Sequence, residues 1–70
     1  MFEYKKLKGK IKEVYDTQAA FGEAMEMSRS ALSQRLNGET QWTPVEIVKA
    51  CGLLEIPIAD AHLYFFALKV

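Results

Sequence analysis

The chain holds few residues that could do covalent chemistry, and none of them has company. His62 is the sole histidine and Cys51 the sole cysteine, so neither has a second ligand at metal spacing. A nucleophile needs a base and a group to orient that base. Ser28, Ser30 and Ser33 have no histidine near them, and no glycine-rich phosphate loop occurs. The expectation is a protein that is not an enzyme, holds no metal and needs no cofactor. One cluster could do recognition chemistry instead: Arg29, Ser30, Ser33 and Gln34. All four side chains donate or accept hydrogen bonds of the kind that read base edges.

Two short helices must position that cluster. Thr17 is a capping residue before Gln18–Met25, three residues then turn the chain at Glu26-Met27-Ser28, and a second helix is predicted from Arg29 to Leu36. Asn37-Gly38 closes it. Ala20, Phe21, Ala24 and Met25, then Ala31, Leu32 and Leu36, gather on one face of a 3.6-residue helix. The opposite face of the second helix carries Arg29, Ser30, Ser33 and Gln34.

These residues, Thr17 to Gly38, resemble the helix-turn-helix of lambda-repressor and Cro-type phage regulators. The matching features are Thr17-Gln18 opening the first helix, the run Ser28 to Ser33 opening the second, and Asn37-Gly38. Beyond the motif, Trp42 to Ile56 and His62 to Phe66 resemble Cro-like proteins from prophages of Gram-positive bacteria, so nearly all of the chain is covered. Two positions depart from the family pattern. Gly22 stands where the family usually has alanine, at a cost of roughly 1 kcal/mol in helix propensity. Glu26 stands where it usually has glycine, and a positive φ there costs a non-glycine residue about 1 kcal/mol or more.

Length and charge bound the rest. Seventy residues make one domain, residues 1–70, which buries about 60% of the unfolded chain's surface. Half the residues are hydrophobic, enough for a compact helical bundle. A lone cysteine excludes an internal disulfide and suits a reducing cytoplasm. No apolar stretch is long enough to span a membrane, since Glu55, Pro57, Asp60 and His62 break the segment from Gly52 to Val70. No signal-peptide apolar run follows the basic N-terminus. Nine basic residues balance nine acidic ones, whereas DNA-binding domains are usually basic. Five of the nine positive charges lie at Lys5, Lys6, Lys8, Lys10 and Lys12.

The first helix is expected from about Glu3 to Tyr15, with Tyr4, Leu7, Ile11 and Val14 facing the core. Lys5, Lys8 and Lys12 share a flank of it, either as a phosphate-contacting edge or as a solvated face. After the motif, Thr43, Pro44 and Glu46 have the spacing of a capping box with proline at the first helical position. Val45, Val48 and Cys51 with Ile47 and Ala50 predict a mostly buried helix ending at Gly52. Leu53, Leu54, Ile56 and Ile58 pack the next turn, Pro57 stops the helix, and a short helix follows from about Ile58 to Phe66. An extended tail is expected at Ala67 to Val70. Trp42 has two readings, an indole N–H on a phosphate or a staple for the following helix. Tyr64, Phe65 and Phe66 cannot all point inward; an outward ring suits a homodimer seam or another protein's groove. The fold expected is all-α, a compact five-helix bundle containing a helix-turn-helix, as in the lambda-repressor DNA-binding domain.

The resemblance implies a sequence-specific transcriptional regulator of the Cro type, binding double-stranded operator DNA as a dimer in the bacterial cytoplasm. Arg29 would then read guanine or hold a phosphate, Ser30, Ser33 and Gln34 would contact neighbouring bases, and Gln18 would hold a phosphate at its helix N-terminus. Ser28, Asn37, Thr40 and Trp42 complete the candidate DNA-contacting set. Some small prophage proteins similar to this one act instead as antirepressors or modulators of repression. Glu23 and Glu26, beside the reading helix of a neutral chain, suit that alternative, in which the partner is a phage repressor with a basic surface.

Overall fold

The computed structural model describes residues 2–68. Five helices follow one another, α1 (Lys5–Tyr15), α2 (Gln18–Met25), α3 (Arg29–Leu36), α4 (Pro44–Leu54) and α5 (Ala61–Phe65). A single 3-10 turn, Ile58–Asp60, leads into α5. The architecture is all-α, and none of the helices is long and apolar enough to cross a membrane. α1 lies across α2 and α5, while α4 closes the other side against α2, α1 and α5. Phe21, Phe65, Leu7, Ile11 and Leu54 are fully enclosed at the centre.

Local chemistry explains most helix ends. The hydroxyl of Thr17 accepts from the amide of Ala20 at 3.1 Å, and that of Ser28 accepts from Ala31 at 3.1 Å. Each satisfies a backbone donor that the first helical turn leaves open. The capping box at α4 forms as expected. The Thr43 hydroxyl accepts from Glu46 N–H and the Glu46 carboxylate accepts from Thr43 N–H.

Burial and helix boundaries depart from the expected pattern in five places. Val14 is exposed, and the neighbouring Tyr15 turns inward to meet Phe21 at 5.5 Å between ring centroids. A larger apolar ring has won that edge of the stripe. Val45 and Val48 are exposed at 77% and 59%. The inward face of α4 is Ile47, Ala50, Cys51 and Leu54, an i, i+3, i+4, i+7 stripe that leaves the two valines on the far side. The helix does not stop at Gly52 but runs on to Leu54. Burying Leu54 completely outweighs about 1 kcal/mol of glycine propensity. Glu55 then ends it in the left-handed conformation, φ 56°, with Pro57 two residues on. Ile58 is exposed, and the residues expected to begin the last helix form the 3-10 turn instead. Finally, α1 starts at Lys5 rather than Glu3, because Glu3 donates its N–H to Ala67 at 2.7 Å and Phe2 bridges Leu68 in antiparallel fashion. That bridge realises part of the expected extended tail; Lys69 and Val70 lie outside the described residues.

One tie between helices was not foreseen. Arg35, on α3, donates its Nε–H to Glu46 Oε1 at 2.9 Å and a terminal N–H to the Ala31 carbonyl at 3.0 Å. The same carboxylate oxygen therefore caps α4 and holds α3. The Arg35 bond, above all, keeps the Glu46 carboxyl below the usual glutamate range. A carboxyl whose folded pKa is depressed adds stability above its unfolded pKa, near 4.3, and that stability is lost as pH falls through the folded value. Melting temperature is thus expected to fall from about pH 5 to about pH 3, and Glu46→Gln is expected to flatten that slope. An unchanged slope in Glu46→Gln would show that other carboxylates carry the acid sensitivity.

Candidate functional site

The α2–turn–α3 unit is built on a strained corner. Glu26 ends α2 with φ 61° and ψ 40°, in the left-handed region. The positive φ that the resemblance implied here is present, carried by a glutamate. Its backbone is steadied by hydrogen bonds from Glu26 N–H to Glu23 and from Met27 N–H to Gly22. Lys49, reaching over from α4, donates to the Met25 carbonyl at 3.2 Å and lies 3.9 Å from the Glu26 carboxylate. At that separation and exposure the ion pair contributes little energy; its role is to place a cation at the C-terminus of α2.

Gly22 lies at the α2–α3 contact, where the space beside it would take a methyl group at ordinary van der Waals distance. A Cβ there would stand 3.4 Å from Leu32 Cδ2 and 3.5 Å from the Met27 carbonyl. Leu32 is 3% exposed, seated between α2 and α3, so the register of the motif is as expected. Around it the unit leaves a groove of about 480 Å³. Ala19, Gly22, Met27 and Leu32 give the groove an apolar floor, and Gln18, Glu23, Arg29 and Ser33 give it a polar rim.

The candidate contact residues fall into three groups. Arg29, Ser30, Ser33 and Gln34 are all exposed and share one shallow hollow on the outer side of α3. Gln18 is exposed at the start of α2, on the rim of the groove. These five are brought together on one face. Ser28, Asn37 and Thr40 sit at its margins with part of their bonding used. The Ser28 hydroxyl caps α3, the Asn37 amide donates to the Ser33 hydroxyl at 3.3 Å, and the half-buried Thr40 donates its backbone N–H to Gln34. Trp42 belongs to the core. It is 8% exposed and meets Phe65 edge-on, with ring centroids 5.0 Å apart and planes at 77°. Its Nε1 is buried, out of reach of a phosphate, so the indole is a core residue packed on α5 and not a surface contact.

Sequence reasoning missed Glu39. Gly38, at φ 78°, folds the loop back so that the Glu39 N–H donates to the Gln34 carbonyl at 2.8 Å, and Glu39 joins the hollow with Arg29. The available signal was Asn37-Gly38, whose left-handed glycine reverses the chain after a helix. With Arg35 turned inward, Arg29 is the one exposed cation of α2 and α3, beside the exposed carboxylates of Glu23, Glu26 and Glu39. Even with Lys49 beside Glu26, this face carries more negative than positive charge.

Known proteins bear on this arrangement. A chain of 40% sequence identity adopts the same fold, with a TM-score of 0.84 over 99% of this chain and 93% of that one. It is the modulator of repression (MOR) of the temperate bacteriophage TP901-1 from Lactococcus lactis, known as a solution structure. No curated protein matches. A family model described as "Protein of unknown function (DUF739)" matches residues 1–68. The match spans all but the last two residues, and this chain belongs to the DUF739 family.

Proposed function

We propose that this protein is a phage regulatory protein that binds a phage repressor through the α2–α3 face and so modulates repression. The observation that carries this reading is the full-length similarity to a phage modulator of repression. The chemistry of the face supports it. A groove with an apolar floor suits an apolar anchor side chain from another protein, while duplex DNA offers phosphates and polar base edges. The carboxylates of Glu23 and Glu39 would meet the cations that a repressor uses on DNA.

A second reading rests on a separate observation, the exposed row of Arg29, Ser30, Ser33 and Gln34. In that reading the chain is a Cro-like regulator of the helix-turn-helix family, α3 enters the major groove, and a dimer reads operator half-sites.

Charge reversal at Glu23 separates the two, because the expected signs are opposite. Glu23 is exposed on α2, so Glu23→Lys is expected to leave the fold intact. At an effective dielectric near 20, one charge about 8 Å from another contributes on the order of 2 kcal/mol before screening. Glu23→Lys is therefore expected to weaken binding to the purified repressor by about tenfold or more, with the larger loss at low salt. Binding to DNA from the promoter region is expected to be weak in the wild type and tighter in the variant. Tight, salt-dependent and sequence-specific DNA binding by the wild type, with no repressor complex, would replace the modulator reading by the Cro reading.

A further inference from the structure

α1 carries a row of lysines that neither the core nor the α2–α3 groove uses. Lys5, Lys8 and Lys12 are all exposed, and among the described residues none forms an ion pair. The other two lysines of the helix are engaged: Lys10 pairs with Glu13 at 3.5 Å, and Lys6 lies over the Tyr64 ring at 5.1 Å. Two surface hollows meet at Lys8. One runs past Lys5 to Asn37, the other past Gly9 and Lys12 to Gln18. The acidic groups facing these hollows are Glu3 and Asp16, and neither is within ion-pair distance of a lysine in the row.

Gly9 supplies an independent observation. A Cβ at Gly9 would meet nothing within 4 Å, so packing does not require glycine there, and in a helix interior glycine is destabilising relative to alanine. What the glycine provides is bare backbone in the middle of the cationic row, where another chain can come close.

We propose that Lys5, Lys8 and Lys12, with the open backbone at Gly9 between them, form an edge that holds the phosphate backbone of duplex DNA. From Lys5 to Lys12 the helix rises about 10 Å along its axis, close to the axial length of three base-pair steps. Neutralising three phosphates gives a slope of about −2.7 for log affinity against log salt. Affinity should then fall about 200-fold between roughly 20 mM and 150 mM salt. An edge of this size does not hold DNA alone at cellular salt. It adds a contact once another interaction keeps the protein beside DNA, where the effective concentration reaches the millimolar range. The inference goes beyond repressor binding and does not rest on it.

The test is an NMR titration of the full chain, isotope-labelled, with a duplex of arbitrary sequence at low and at physiological salt. Amide shifts are expected at Lys5, Lys8, Gly9 and Lys12 at low salt and should fade steeply as salt rises. The triple variant Lys5→Gln, Lys8→Gln, Lys12→Gln should lose them and flatten the salt slope. Gly9→Ala should melt higher than wild type yet bind DNA less well, a combination that a purely structural glycine would not produce. Shifts centred on Arg29, Ser33 and Gln34, or none at low salt, would overturn the proposal. So would equal shifts with vesicles of anionic lipid in place of the duplex. The Glu23→Lys measurement against repressor is independent of this outcome, so either reading can fail while the other stands.

Discussion

Leu32→Ala is expected to cost about 2–5 kcal/mol of folding stability. Leu32 is 3% exposed and lies where α3 meets α2, with its Cδ2 directly over Gly22. Gly22 has no side chain to move into the space, so the site can collapse only a little. That places the cost toward the upper part of the range, since residual cavity volume sets the penalty. A domain of seventy residues has roughly 3.5–10 kcal/mol in all, and the variant is expected to be partly unfolded at 37 °C. Leu32 also floors the groove, so a repressor complex should weaken even where the variant remains folded. Chemical denaturation with a matched m-value would measure the first effect, and an unchanged midpoint would refute the packing described for α2 and α3.

Phe65→Ala is expected to cost about 3–5 kcal/mol, against less than about 1 kcal/mol for Phe66→Ala. The two rings are adjacent in sequence and opposite in environment. Phe65 is 1% exposed and takes the face of the core closed by Trp42. Phe66 is 50% exposed and touches Phe2 edge-on, with ring centroids 5.6 Å apart. Removing Phe65 deletes a large buried ring and an aromatic pair worth about 0.5–1.5 kcal/mol beyond its area. It also opens the pocket around Trp42, so tryptophan emission should shift to the red in the folded state. Phe66→Ala should leave the emission unchanged. Comparable losses in the two variants, or a red shift with Phe66→Ala, would contradict the assignment of Phe65 to the core.

Both experiments probe the boundary between local and long-range information. Helix ends in this chain are local events. Thr17, Ser28 and Thr43 each bond an amide three residues on, and Pro44 needs no partner for its missing N–H. Such interactions depend on a handful of neighbouring residues, so α2 and α3 begin and end where the sequence implies. The apolar faces of α2 and α3 are likewise periodic enough to place Phe21, Met25, Leu32 and Leu36 inward, and the polar row of Arg29, Ser30, Ser33 and Gln34 outward. The all-α class follows from those periodicities.

What tertiary structure alone decided is which of several equivalent apolar residues became core, and which charges found each other. Val14 and Tyr15 flank the same stripe, and only the position of Phe21 on the next helix selects Tyr15. Seven apolar positions on α4 offer more than one inward face, and the packing of α1, α2 and α5 chose the one that leaves Val45 and Val48 in solvent. Gly52 has a local tendency to end a helix that the burial of Leu54 overrides. Arg35 and Glu46 are eleven residues apart, and nothing in local spacing pairs them. Their meeting removes one of two cations from the α2–α3 face. Together with the return of Glu39 by the Gly38 turn, it sets the sign of the site. Local sequence determines where helices start and stop because caps and turns act over three or four residues. The chemistry of the candidate surface is decided by contacts between helices, whose energies depend on geometry that no single segment contains.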